Sequence, residues 1–222
     1  MKTLGNILLL VAKDIRLELR TKQGVVTMTV FSILTVLLLA FAFEPGREET
    51  EWIGPGLLWI AFTFAGTIGL ETTQTSEREE GALEVLRMSP VGRGSLYVGK
   101  LVANVILLSV VELITLPLFA VLFNFEVLPM LTQLLTVQFF GTIGFAAVGT
   151  ILAAVTSYTK LRGVLLPVVL FPMIVPVLLA AVEATAAAFR GDPMTGALRL
   201  LIVYDIVFVT TGVLLFGSVL EE

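Results

Sequence analysis

Six long stretches of the chain run almost without charge, and their lengths predict six helices that cross a membrane. Residues 24–43, 52–70, 130–158 and 163–182 carry no charged side chain, 101–125 carries only Glu112, and 200–220 carries only Asp205. An apolar run of ~20 residues, rising ~1.5 Å per residue, covers the hydrocarbon layer of a bilayer. Residues 1–23 follow another pattern. Leu4, Ile7, Leu8, Val11, Ile15 and Leu19 recur at helical spacing, with Lys13, Asp14, Arg16, Glu18 and Arg20 between them. That predicts an amphipathic helix lying in the membrane interface, either as a topogenic anchor or as an elbow bracing the first span. A cleaved leader is not expected, because the apolar stretch 7–12 is short and charges follow it directly. The expected fold class is all-α, a single polytopic membrane domain.

The segment 71–100, "ETTQTSEREEGALEVLRMSPVGRGSLYVGK", is the one sizeable polar connection between spans. Ser76 followed by Glu79 fits a capping box and predicts a helix start there. Pro90 disfavours helical geometry at Ser89 and predicts its end. The expected helix of about three turns sets Leu83, Val85 and Leu86 among Glu77, Glu79, Glu80, Glu84 and Arg87. Those acids oppose docking on anionic lipid. An apolar stripe with acidic flanks instead suits a groove on a soluble partner.

Within "GRGSLYVGKL", Gly94, Gly99 and Lys100 reproduce the spacing of a phosphate-binding loop, but Leu101 stands where a metal-ligating hydroxyl is needed. A true loop of this kind follows a strand of a soluble α/β domain, whereas Gly99-Lys100 opens an apolar span. Lys100 reads as an interfacial anchor, and the chain is expected to bind no nucleotide.

Composition agrees with the pattern. Of 222 residues, 57% are hydrophobic and 14% charged, and the mean hydropathy is +0.99; soluble domains carry about 25% charged residues. Cysteine and histidine are both absent, which removes disulfides, thiolate sites, the commonest general base and the usual haem ligand. Eleven of the 14 Lys and Arg residues fall in the N-terminal segment, in 71–100 and at 160–162. Arg47, Arg190 and Arg199 fall on the other side. The positive-inside rule then places both termini in the cytoplasm.

Charged groups inside spans are costly, about 3 kcal/mol at the centre of a helix. Glu112 and Asp205 are therefore the intramembrane candidates. They would serve as a substrate path, a proton-linked switch or a subunit contact, or simply as a buried carboxyl that fixes helix packing. Asn104, Gln133 and Gln138 are expected to hydrogen-bond between helices, and Gly141, Gly144 and Gly149 to admit close helix approach. Pro167, Pro172 and Pro176 predict a bent fifth span, by static kinking or as a gate. Trp52 reads as an interfacial anchor and Trp59 as packing.

The stretch "GPGLLWIAFTFAGTIGLETTQTSEREEGALEVLRMSPVGRGSLYVGKLVANVI" resembles the CcmB family. The resemblance rests on its Pro-Gly-x-x-Trp opening, on Gly81, Leu83, Glu84 and Leu86, and on Pro90 and Lys100. The block "GTIGFAAVGTILAAVTSYTKLRGVLLPVVLFPMIVPVLLAA" is similar to the family's fourth and fifth spans. The resemblance implies the permease subunit of an ATP-binding-cassette complex of the bacterial inner membrane, acting in haem export or delivery for cytochrome c biogenesis. It implies a separate CcmA-like ATPase that hydrolyses ATP, CcmC-like and CcmD-like membrane subunits, a CcmE-like periplasmic haem chaperone, and two copies of this chain in the complex. It assigns ATPase coupling to Glu79, Gly81, Leu83, Glu84, Leu86 and Pro90.

Beside that implication, six Met and three Tyr are the only axial haem ligands the chain could offer. No cofactor is expected to be bound by the chain itself, and haem is expected as a substrate ligated by partner subunits. No nucleic-acid partner is expected.

Rival classes are weaker. An aspartyl intramembrane protease needs two carboxylates sharing a proton, and Glu112 and Asp205 are the only pair on offer. A secondary transporter predicts an internal repeat, which the first and last three spans do not display. Two further alternatives are a non-translocating scaffold for haem-handling subunits and an export permease for another amphipathic substrate.

Overall fold

The computed structural model describes residues 2–43, 48–79, 92–156, 159 and 162–219. Among them are seven α-helices: α1 (Lys2–Thr21), α2 (Gln23–Ala42), α3 (Glu48–Glu79), α4 (Arg93–Phe123), α5 (Leu131–Thr156), α6 (Arg162–Arg190) and α7 (Thr195–Val219). A single 3₁₀ turn, Leu128–Met130, leads into α5. The six helices α2–α7 are each long and apolar enough to cross a membrane. The all-helical, six-span fold is thus as the hydrophobic runs predict.

Helix limits depart from the apolar runs in an instructive way. α3 continues through Glu71–Glu79, so Ser76 lies inside a helix and does not cap a new one. No Gly or Pro interrupts residues 71–79, and backbone hydrogen bonding carries the helix past the end of its apolar face. α4 begins at Arg93, eight residues before the apolar run. Gly94, Gly99 and Lys100 are therefore helical, which removes the loop geometry a phosphate cradle requires. α6 extends to Arg190, and α7 starts at Thr195. Asp205 accordingly sits in the middle of α7 and not near its start. α6 runs as one helix through Pro167, Pro172 and Pro176. Pro172 and Pro176 are exposed on its outer face, and Pro167 is half-buried.

α1 meets α2 at a corner made by one residue. Lys22 adopts the left-handed conformation, with φ of 56° and no side-chain cap of its own. The first turn of α2 still needs acceptors for its N–H groups. Glu18 supplies one from the preceding helix: its carboxylate accepts the Val25 N–H at 2.7 Å. A negative group is also favoured there by the helix dipole. Gly24 makes room for it, since a Cβ at that position would come within 2.8 Å of the Glu18 carboxylate. Glu18→Ala is expected to lower stability by about 1 kcal/mol, and Glu18→Gln, which keeps the acceptor, by less. Thermal unfolding in detergent measures both.

The end of the bundle that holds α1, the start of α4 and the end of α7 is termed proximal, and the other end distal. At the proximal end, Gly99 lets α4 approach Leu10 of α1, while Leu4, Leu8 and Leu19 remain exposed on the outer stripe of α1, as an interfacial helix requires. At the distal end Asn124 closes α4 in the left-handed region, with φ of 57°. Phe125 turns back there to stack between Phe119 and Phe189, with centroids 5.6 Å and 4.4 Å away. Trp52 is exposed, with the Arg190 guanidinium 5.8 Å from its ring centroid.

Candidate functional site

Two apolar clusters lie one above the other along the bundle. The proximal cluster includes Met28, Leu70, Tyr97, Val111, Phe145, Ile174 and Phe216. The distal one includes Val36, Trp59, Leu116, Val137, Val177 and Leu201. Between them, on five of the six spans, the buried residues turn polar: Ser32, Thr63, Glu112 with Thr115, Gln138 with Thr142, and Asp205. The molecule thus carries a polar layer across its middle.

Glu112 of α4 meets Thr142 of α5, whose hydroxyl stands 2.8 and 2.7 Å from its two carboxyl oxygens. A hydroxyl carries one proton, so only one oxygen is served at a time. One turn further along α4, Thr115 and Ser32 of α2 share a 2.8 Å hydrogen bond. Asp205 of α7 faces Gly144 of α5, where an added Cβ would lie 2.8 Å from its Oδ1. Both its oxygens are buried without a hydrogen-bond partner among the described residues. Thr142 and Gly144 are two positions apart on one helix, roughly 200° around its axis. Glu112 and Asp205 therefore approach α5 from different sides and share no proton, which removes the protease reading.

α3 and α5 are the two most buried spans, and the small residues of α5 explain its place. In a membrane, helices associate by close packing and not by expelling water. Gly141 accepts the Trp59 ring, Gly149 accepts Leu70, and Gly144 accepts Asp205 and Val177. Asn104 donates to Thr150 Oγ1 at 2.9 Å, the interhelical bond expected of it. Gln133 is instead exposed on the first turn of α5, and Gln138 is buried without a partner among the described residues. Trp59, expected only to pack, also donates from Nε1 to Thr185 Oγ1 of α6 at 2.9 Å.

Tyr97, which sequence reasoning did not single out, joins three helices. Its side chain is fully buried, and its hydroxyl donates to the Ala147 carbonyl of α5 at 3.1 Å. Its ring fills the notch left by Gly212 and lies 5.4 Å from the Phe216 ring, both on α7. One turn earlier, Arg93 Nη1 donates to the Gly217 carbonyl at 3.0 Å. The opening turns of α4 are thereby fastened to α5 and α7, and through Gly99 to α1. Of the coupling positions, Glu79 is the last residue of α3; Gly81, Leu83, Glu84, Leu86 and Pro90 lie outside the described residues.

Compared with known proteins, the chain matches the family model described as CcmB protein over residues 6–221. It belongs to the CcmB family. Relatives named heme exporter protein B are similar along most of their length. That of Pseudomonas aeruginosa is 28% identical over 190 residues, covering 86% of this chain and 85% of its own. That of Rhodobacter capsulatus is 29% identical over 182 residues, covering 82% and 83%. That of Escherichia coli K12 is 26% identical over 195 residues, covering 85% of each. In this member of the CcmB family, the polar layer and the Tyr97 joint belong to the span that the family match covers.

Proposed function

We propose that this chain is the membrane permease subunit of a haem-exporter-type ATP-binding-cassette complex serving cytochrome c biogenesis, folded as one permease domain. The observation that carries the reading is family membership along 6–221, with relatives named heme exporter protein B. The chain supplies movement and not chemistry, and ATP is hydrolysed by a separate CcmA-like subunit. The proximal end faces the cytoplasm, in keeping with Lys13, Arg16, Arg20, Lys22, Arg93 and Lys100 there and with Arg190 and Arg199 at the distal end. The ATPase docks on the segment containing Glu79, Gly81, Leu83, Glu84, Leu86 and Pro90. Tyr97, seven residues beyond Pro90, hands that push to α5 and α7.

Haem is held by partner subunits of the CcmC, CcmD and CcmE type. Among this chain's own oxygen ligands, the Tyr97 and Tyr204 hydroxyls are already spent on the carbonyls of Ala147 and Met173. The assembly contains two copies of the chain.

The test is isolation of the complex in gentle detergent, identification of its subunits, and ATPase assays with and without haem. Lysine at both Glu84 and Leu86 is expected to abolish ATPase association while membrane insertion persists. Copurification and cytochrome maturation unchanged by that double substitution, or ATP hydrolysis by the purified chain alone, would overturn the assignment.

A further inference from the structure

The fold sorts the charges of α1. The helix carries two acids, Asp14 and Glu18, and both are taken up. Asp14 is 8% exposed and lies 2.9 Å from the Lys13 ammonium, while Glu18 accepts the Val25 N–H at 2.7 Å. Arg16, Arg20 and Lys22 are exposed, with no hydrogen bond or ion pair among the described residues. Arg16 and Arg20 are four positions apart, so their side chains are neighbours on one helix face, and like charges at that spacing repel.

The helix that follows sets the depth of these groups. α2 has 20 residues, Gln23–Ala42, and at ~1.5 Å rise per residue that length just covers the ~30 Å hydrocarbon layer. Its first residue therefore marks the edge of the layer. Lys22, Arg20 and Arg16 precede it and stand at the level of lipid phosphates. Leu19, next to Arg20 in the chain, and Val26 and Val30 on the first turns of α2 are exposed apolar side chains.

We propose that the α1–α2 corner is a binding site for an anionic phospholipid, whose phosphate is held between the Arg16 and Arg20 guanidinium groups. A phosphodiester has two unesterified oxygens, one for each guanidinium fork, and the planar fork fits phosphate better than a lysine ammonium does. Lys22 adds a third positive charge at the corner. A zwitterionic headgroup carries a cation of its own, which these basic groups repel, so a net negative headgroup is preferred. The acyl chains run along the apolar surface that begins with Val26 and Val30. The bound phosphate relieves the Arg16–Arg20 repulsion and adds to the Glu18–Val25 bond in holding the corner. This inference does not depend on which subunits the chain assembles with, nor on which side of the membrane the proximal end faces.

Native mass spectrometry of the full chain, released from nanodiscs holding equal parts of phosphatidylglycerol and phosphatidylcholine, tests it. The expected result is retention of phosphatidylglycerol over phosphatidylcholine by about five-fold or more. Arg16→Gln with Arg20→Gln should remove most of that preference, while Arg199→Gln at the distal end leaves it unchanged. Arg16→Lys with Arg20→Lys keeps every charge and loses the forks, and its preference should fall between the two. Thermal unfolding in detergent gives a second readout. Phosphatidylglycerol should raise the midpoint of the unmodified chain, less so at high salt, and inorganic phosphate should not. Equal retention of the two lipids would overturn the proposal, as would a preference that survives the glutamine pair. Lysines that bind as well as the arginines would also overturn it, since charge alone would then attract the lipid. So would stabilisation by inorganic phosphate equal to that by the lipid, which would assign the arginines to a soluble anion.

Discussion

Tyr97→Ala is expected to cost about 3 kcal/mol or more of stability, the largest loss from any single truncation at the proximal end. The ring is fully buried, and the α7 notch at Gly212 that it fills has no side chain of its own to close the gap. Tyr97→Phe keeps the ring and loses one hydrogen bond, to a carbonyl that remains in its own helix. About 1 kcal/mol or less is expected there. Unfolding in detergent followed by tryptophan fluorescence separates the two. Near-equal losses would mean that the hydroxyl, and not the ring, holds α4 to α5 and α7. If Tyr97 carries motion as proposed, Tyr97→Ala should also leave ATPase binding intact while lowering cytochrome maturation.

Gly141→Leu is expected to be comparably damaging, by about 3 kcal/mol, through overpacking. The Trp59 ring occupies the space a Cβ would need. It cannot swing away cheaply, because Nε1 is bonded to Thr185 and the ring meets Phe62 edge-on at 5.7 Å. Gly56 provides the control: nothing lies within 4 Å of an added Cβ there. Gly56→Ala should leave stability unchanged or raise it by up to about 1 kcal/mol. Trimming the obstacle in the double variant Gly141→Ala with Trp59→Phe should recover part of the loss. A Gly141→Leu protein as stable as the Gly56→Ala one would show that α3 and α5 do not meet at this point.

The six spans could be read directly from the sequence, since bilayer thickness converts run length into a helix with little ambiguity. Helix ends could not. Charged residues such as Glu71 or Arg93 terminate an apolar run yet continue a helix, so α3 and α4 outreach the bilayer signal at the ends that flank the polar segment. For the same reason Ser76 lost its capping role to a helix already under way.

Glu112 and Asp205 were legible because a charge within an apolar run is conspicuous. The layer they belong to was not. Ser32, Thr63, Thr115 and Thr142 are ordinary residues one by one, and Ser/Thr hydroxyls inside helices often bond their own backbone, as Thr115 also does to Val111. Only the relative heights of the helices bring them to one level. Tyr97 was hidden by its neighbours, because Gly99-Lys100 drew attention as a failed nucleotide motif and then as an anchor. The proposed coupling positions from Gly81 to Pro90 rest on the resemblance to the family, and their substitution test stands independently of the fold.

The corner between α1 and α2 works as a ruler. Glu18 reaches Val25 across seven positions and a single left-handed residue, so the phase of α1 is locked to that of α2. Inserting or deleting one residue between them would swing α1 by about 100° and lift Leu10 off Gly99. Length in this corner is therefore far less free to drift than residue identity on the outer stripe of α1, where Leu4, Leu8 and Leu19 need only be greasy.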